Sequence, residues 1–229
     1  MKHTFWVIVP VAVFCIFISC KAGSKTNASS PEETFSKDAS YALGMNVGTS
    51  LKADNLYPNM EEFINGIKDI LYDYTPRYTN EEAYQLFSEA FRSLAEKRDM
   101  DNRQAENDFL AENSKKPGVI VTGSGLQYEV ISEGYGPKPT ATDTVRVHYE
   151  GSLTNGTVFD SSYSRGEPIE FPLNGVIPGW TEGLQLMNVG SKFRLIIPSN
   201  LGYGSQGAGQ DIPPYSTLIF QVELLDIVK

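Results

Sequence analysis

The chain has 229 residues, 41% hydrophobic, 21% charged and 11% aromatic, with a formal net charge of −9. That is enough apolar material for a packed core, which excludes a wholly disordered polymer. Lys and Arg form no cluster that could displace counterions from phosphates, and this argues against a nucleic-acid partner.

At the N-terminus, Lys2 is the only charged residue among the first nineteen, and Phe5 to Ile18 is a fourteen-residue apolar run. The run is shorter than the ~20 residues of a membrane-spanning helix and has the length of a signal-peptide core. It ends in Phe17-Ile18-Ser19-Cys20 and is followed by polar Lys21 to Ser30. That order resembles a bacterial lipobox, in which Cys20 is lipidated and becomes the first residue. A plain secretory signal with an incidental Cys is the alternative. Cys15 would leave with the signal, so the mature chain keeps no thiol for redox or metal chemistry. The expectation is an exported protein, lipid-anchored to the bacterial cell envelope, with a signal at 1–19 and a tether at 20–31.

From 32 to 116 the pattern is helical. Phe35, Ala39, Ala42, Leu43, Val47 and Leu51 share one face at three- and four-residue spacing. Asn59 is a candidate N-cap for a second helix with the stripe Phe63, Ile64, Ile67, Ile70 and Leu71. Thr79-Asn80-Glu81-Glu82 reads as a capping box opening a stretch to about Asn113. Its first half carries Ala83, Leu86, Phe87, Ala90, Phe91 and Leu94; beyond Leu94 it is polar. One continuous rod of roughly 50 Å is favoured over two helices broken near Asp101-Asn102. The polar half reads as a solvent-bridging connector.

After Lys115-Lys116-Pro117-Gly118 the chain turns β-like. Candidate strands are Val119 to Thr122, Leu126 to Ser132, Thr144 to Thr154, Ile169 to Pro172, Lys192 to Pro198 and Thr217 to Val228, with one helix at Trp180 to Leu186. Val145, Val147 and Tyr149 alternate with Arg146, His148 and Glu150, as in a half-buried strand.

Gly202-Tyr203-Gly204-Ser205-Gln206-Gly207 matches a dinucleotide fingerprint, but no helix follows it to meet a pyrophosphate. His148 would be the only His left in the mature chain and reads as structural, because zinc sites draw on several ligands. What stands out instead is large side chains set among turn residues: Phe159-Asp160-Ser161-Ser162, Val176-Ile177-Pro178-Gly179-Trp180 and Gly202-Tyr203-Gly204. Each alone is as well explained by core packing.

Those blocks, with Val147-His148-Tyr149-Glu150-Gly151, Ile212-Pro213-Pro214 and Leu218-Ile219-Phe220-Gln221-Val222-Glu223-Leu224, resemble the FKBP-type prolyl isomerases over essentially all of 117–229. The helical segment around Ser40-Tyr41-Ala42-Leu43-Gly44-Met45 is similar to the N-terminal dimerisation domain of that family's macrophage-infectivity-potentiator group. The resemblance implies an α+β chain: an all-helical domain at 32–116 with a long connecting helix, then a half-wrapped antiparallel sheet around one short helix at 117–229. It implies catalysis of X-Pro isomerisation, assistance to the folding of exported proteins, and a homodimer formed through residues 32–94. The catalytic set would be Asp160, Tyr203, Phe159 and Trp180, with Trp180 as pocket floor. Tyr149, Phe171, Val176, Ile177, Ile212 and Phe220 would bind substrate, the Ile177 N–H and Tyr203 hydroxyl would donate to it, and Arg165 would pair with Asp160. Partners would be proline-containing polypeptides and macrolide inhibitors.

The chemistry suits those residue types without cofactor or metal. Resonance gives the peptide C–N bond a rotation barrier of ~18–20 kcal/mol. A dry apolar pocket disfavours the planar charge-separated form, and fixed donors favour the twisted one. A non-catalytic holdase on the same scaffold is the alternative reading. Asp211, at a loop position commonly apolar in the family, and Ile169, where some relatives carry a ring, bear on peptide preference and macrolide affinity.

Overall fold

The computed structural model describes residues 33–228, so Cys20 and the whole export signal lie outside the described residues. The chain divides into two units at Thr79/Asn80.

The first unit contains helices α1 (Lys37–Ala53) and α2 (Met60–Leu71). Ser36 caps α1, its side chain accepting from the Ala39 N–H. Asn59 caps α2, its Oδ1 accepting from Glu61 and Glu62 at 3.1 Å each, as its position before an apolar stripe predicts. Neither helix has a buried residue, and Ile70 and Leu71 are each 62% exposed.

The second unit opens with α3 (Asn80–Asn113), one unbroken helix of 34 residues. A seven-stranded sheet follows: β1 (Val119–Val121), β2 (Gln127–Ser132), β3 (Thr144–Leu153), β4 (Val158–Ser161), β5 (Ile169–Pro172), β6 (Lys192–Ile197) and β7 (Leu218–Val228). Two short helices interrupt it, α4 (Ser162–Arg165) and α5 (Pro178–Leu186). All pairings are antiparallel, in the order β1-β2-β6-β7-β3-β4, with β5 also paired to β3.

The period-2 pattern of β3 is realised as expected. Val145, Val147 and Tyr149 point into the core, beside the inward-facing Leu218, Phe220, Val222 and Leu224 of β7 and Phe193, Leu195 and Ile197 of β6. The sheet bends around α5, whose Trp180 and Leu184 enter the same core. Pro178 occupies the first turn of α5, where its missing N–H costs nothing. Gly179 then lets the helix lie against β6, since a Cβ there would sit 2.4 Å from Ile197 Cγ2. Each buried Leu, Val or Phe in this cluster adds about 1.5–3 kcal/mol of apolar transfer.

The second half of α3 is not the solvent-bridging connector that its polarity suggests. Asn102, Glu106, Phe109, Leu110 and Asn113 form a half-buried to buried stripe at helical spacing. That stripe meets the sheet through side-chain hydrogen bonds. Asn113 donates to Gln127 Oε1 and Gln127 donates to the Leu110 carbonyl, both at 2.9 Å, and both side chains are buried. Polar helix residues that find fixed partners satisfy burial as well as apolar ones do.

Candidate functional site

A cavity of about 500 Å³ opens between α5 and the concave face of the sheet. Trp180 lies at its base, 5% exposed, held by rings from β3, β5 and β7. Three rings converge on the indole. Tyr149 from β3 meets it edge-on at 5.1 Å and 86°, Phe220 from β7 at 5.0 Å and 85°, and Phe171 from β5 at 5.2 Å and 55°. Phe159 of β4 completes the wall, edge-on to Phe220 at 5.5 Å. Such edge-to-face pairs add about 0.5–1.5 kcal/mol each beyond area burial.

The register explains why the rings meet. Gly151 pairs with Phe220 across β3 and β7 and with Asp160 across β3 and β4. A Cβ at Gly151 would lie 2.6 Å from Phe220 and 2.7 Å from Phe159. The missing side chain therefore lets both rings close over the strand.

The rim comes from turns. Val176 and Ile177 lead into α5, and the Ile177 carbonyl accepts from Trp180 and Thr181 at 2.9 and 3.1 Å. As the residue before the helix, Ile177 keeps its own N–H outside the helical ladder. Thr181 Oγ1 donates to the Leu173 carbonyl at 2.6 Å, tying α5 to the turn that precedes Val176. Opposite stand Tyr203, 41% exposed, and Ile212, which is buried and paired with Ala208.

One charged cluster touches the cavity. Asp160 accepts from the Tyr149 hydroxyl through Oδ2 and from the Arg165 guanidinium through Oδ1. Arg165 also donates to the Tyr149 hydroxyl at 2.9 Å. Arg165 reaches Asp160 because α4 turns the chain straight after β4 and ends at Gly166 with φ 81. Burial alone would push Asp160 up. The hydrogen bonds from Tyr149 and Arg165, the charge of Arg165 and the Ser161 N–H outweigh it, holding the carboxyl below its ordinary value. Burial, and then the bond to Asp160, push the Tyr149 phenol up. The cluster is thus a carboxylate, a neutral phenol and a guanidinium.

Ser162 pins Tyr149 from the other side. Its Oγ accepts from the Tyr149 N–H at 2.8 Å and donates to the Tyr149 carbonyl at 3.2 Å. His148 Nδ1 lies 3.0 Å from the same Oγ and its ring stacks on Tyr163 at 4.7 Å.

The structure therefore brings together Tyr149, Phe159, Asp160, Phe171, Val176, Ile177, Trp180, Tyr203, Ile212 and Phe220 around one cavity, with Arg165 behind Asp160. Gly175 and Ile169 also line it. Sequence reasoning missed Gly175, an exposed turn residue with no distinguishing signal. It also missed the Tyr149 hydroxyl as a partner of Asp160.

The chain resembles known proteins along both parts of its sequence. Residues 136–225 match the family model described as FKBP-type peptidyl-prolyl cis-trans isomerase, and residues 36–130 match the domain amino terminal to it. The chain is 48% identical to the FKBP-type 22 kDa peptidyl-prolyl cis-trans isomerase of Escherichia coli, over 86% of this chain and 97% of that protein. It is 39% identical to the outer membrane protein MIP of Legionella longbeachae, over 83% of this chain and 84% of that one. Among solved structures, FkpA from Escherichia coli superposes with a TM-score of 0.69 at 37% identity, covering 83% of this chain and 95% of that one.

Proposed function

The chain belongs to the FKBP-type peptidyl-prolyl cis-trans isomerases, and from that membership we propose that the cavity over Trp180 is where it turns X-Pro bonds. The observation that carries the assignment is the convergence of Tyr149, Phe171 and Phe220 on one buried indole beside the Asp160 cluster. A prolyl ring seated on Trp180 loses water on every side. Desolvation weakens the resonance that keeps the imide planar. The Ile177 N–H and the Tyr203 hydroxyl would hold the substrate backbone while the bond twists. The Asp160 carboxylate supplies a fixed negative charge near the twisting amide. Every ~1.4 kcal/mol by which these groups favour the twisted state is worth tenfold in rate.

The test is cis-trans exchange in an X-Pro peptide, followed by NMR with wild type and Asp160→Leu. Wild type should accelerate exchange and the variant should do so several-fold less. Folded wild-type protein that leaves exchange unchanged would remove the assignment. A macrolide seated in the same cavity should compete with the peptide.

Around this activity we propose a second layer. The exposed stripe of α2, with Ile64, Ile67, Ile70 and Leu71, supports pairing of two copies through residues 32–94. By sequence the helical region would run over residues 32–116 and the isomerase region over 117–229, with α3 folding as part of the second compact unit. The apolar run and Cys20 support export and lipid anchoring to a bacterial envelope, where the substrates would be exported proteins. The name of the Legionella relative, an outer membrane protein, is consistent with that location.

A further inference from the structure

We infer that Asn102 and Glu106 of α3 are positioning residues for the isomerase site: they hold the two loops that present Tyr203 and Ile212. The inference rests on the reading that those two residues belong to the substrate site.

The loop of Tyr203 is organised by Ser199. The Ser199 carbonyl accepts from the Gly202 and Gly204 N–H groups at 2.9 and 2.8 Å, closing a turn around Tyr203. Ser199 is itself gripped by α3. Its N–H donates to Glu106 Oε1 and its hydroxyl donates to Glu106 Oε2 at 2.9 Å. Both carboxylate oxygens are therefore spent on the residue at the base of the loop.

The loop of Ile212 continues as Pro213-Pro214-Tyr215. Two consecutive prolines have no N–H, so their carbonyls are their only backbone handles. Asn102 takes one of them, donating to the Pro214 carbonyl at 2.9 Å. The next residue, Tyr215, sits at φ 57, a left-handed conformation uncommon for a residue with a side chain. Arg103 donates to its hydroxyl and covers its ring at 4.1 Å. Tyr215 then donates its N–H to the Gly204 carbonyl at 2.9 Å, joining the two loops beside Tyr203.

Asn102, Arg103 and Glu106 lie within about one helical turn, so a single stretch of α3 grips both loops. Trp180, Tyr149 and Phe220 are fixed by the core and do not need it. Tyr203 is 41% exposed, and its loop is held by hydrogen bonds. Helix α3 therefore sets the distance between the Tyr203 hydroxyl and the indole floor, although it lines no part of the cavity.

The experiment is a double-mutant cycle on the full chain, with kcat/KM for an X-Pro peptide and the Gly202 and Gly204 amide shifts as readouts. Glu106→Gln preserves length but loses one acceptor, and should lower kcat/KM about tenfold and move both amides. In the Tyr203→Phe background the same change should cost less than about twofold, because the group it positions is gone. Asn102→Ala tests the second loop independently and should raise KM more than it lowers kcat. Wild-type kcat/KM in Glu106→Gln, or an equal loss in both backgrounds, would overturn the proposal. Tyr203→Phe at the wild-type rate would instead fail the reading of the site, and the amide shifts would still decide whether α3 holds the loop.

Discussion

Asp160 accepts a hydrogen bond from the Tyr149 hydroxyl, so the carboxylate at the cavity rim and the ring that walls the cavity form one unit. Arg165 closes that unit by donating to both. Ring geometry and rim charge therefore depend on each other, and several expectations follow from that dependence.

The first concerns acid. Asp160 is held below its ordinary value in the folded chain, whereas an unfolded Asp titrates near ~3.9. A lowered folded value means that the contribution to stability is fully present above the unfolded value. It fades as pH falls through the folded one. Urea midpoints of wild type and Asp160→Asn should therefore differ by a constant amount from pH 7 to about 5, and converge on further acidification. A constant difference down to the acid limit would disprove the role of Tyr149 and Arg165 as stabilisers of the charge.

The second isolates the phenol. Tyr149→Phe keeps the ring against Trp180 and removes one donor to Asp160. The Asp160 titration, followed by carboxyl NMR, should move up toward the ordinary value. Stability should fall by about 1.5–3 kcal/mol, the range for a hydrogen bond to a charged group.

The third uses the missing side chain at Gly151. Gly151→Ala would force a methyl group against Phe220 and Phe159. Overpacking of this kind costs about 1–3 kcal/mol. Peptide affinity should fall with it, because both displaced rings face the cavity. Chemical denaturation and KM measured together would show whether the two losses coincide.

Pairing through the helical segment gives a fourth. Wild type should sediment at twice the chain mass at micromolar concentration. Ile70→Asp places a charge on the exposed stripe of α2 and should yield the monomer, while peptide isomerisation continues. Sedimentation of wild type as a monomer would remove the pairing proposal.

Much of this is legible in the sequence alone. Asn59 marks the start of α2 because an Asn before an apolar stripe has one efficient use, as an acceptor for free N–H groups. The alternation Val145, Val147, Tyr149 reveals which face of β3 is buried, since the pleat has period two. The blocks around Phe159, Ile177 and Tyr203 were visible as large side chains in turn-rich sequence, and they do converge on one cavity.

Other features carried no such mark. Strand β4 is four residues long and follows a turn at Asn155-Gly156, too short to display a period. The hold of α3 on the two loops and the sheet uses Asn102, Glu106 and Asn113, residue types that on a helix read as solvated. A polar side chain advertises neither whether its partner is water nor which distant carbonyl it meets. The bond from Tyr149 to Asp160 was hidden for the same reason: the ring signalled packing, and its hydroxyl gave no direction.

The placing of β7 has one more consequence. It is the last of the seven strands in chain order, yet it lies between β6 and β3 and carries Phe220. Until it is made, β1, β2 and β6 on one side and β3, β4 and β5 on the other have no backbone ladder joining them. A chain that stops short of Leu218 lacks the strand joining the two halves and cannot assemble the cavity. Closing the cavity therefore waits on the long-range pairing of β7 with β3, a kind of contact that slows folding.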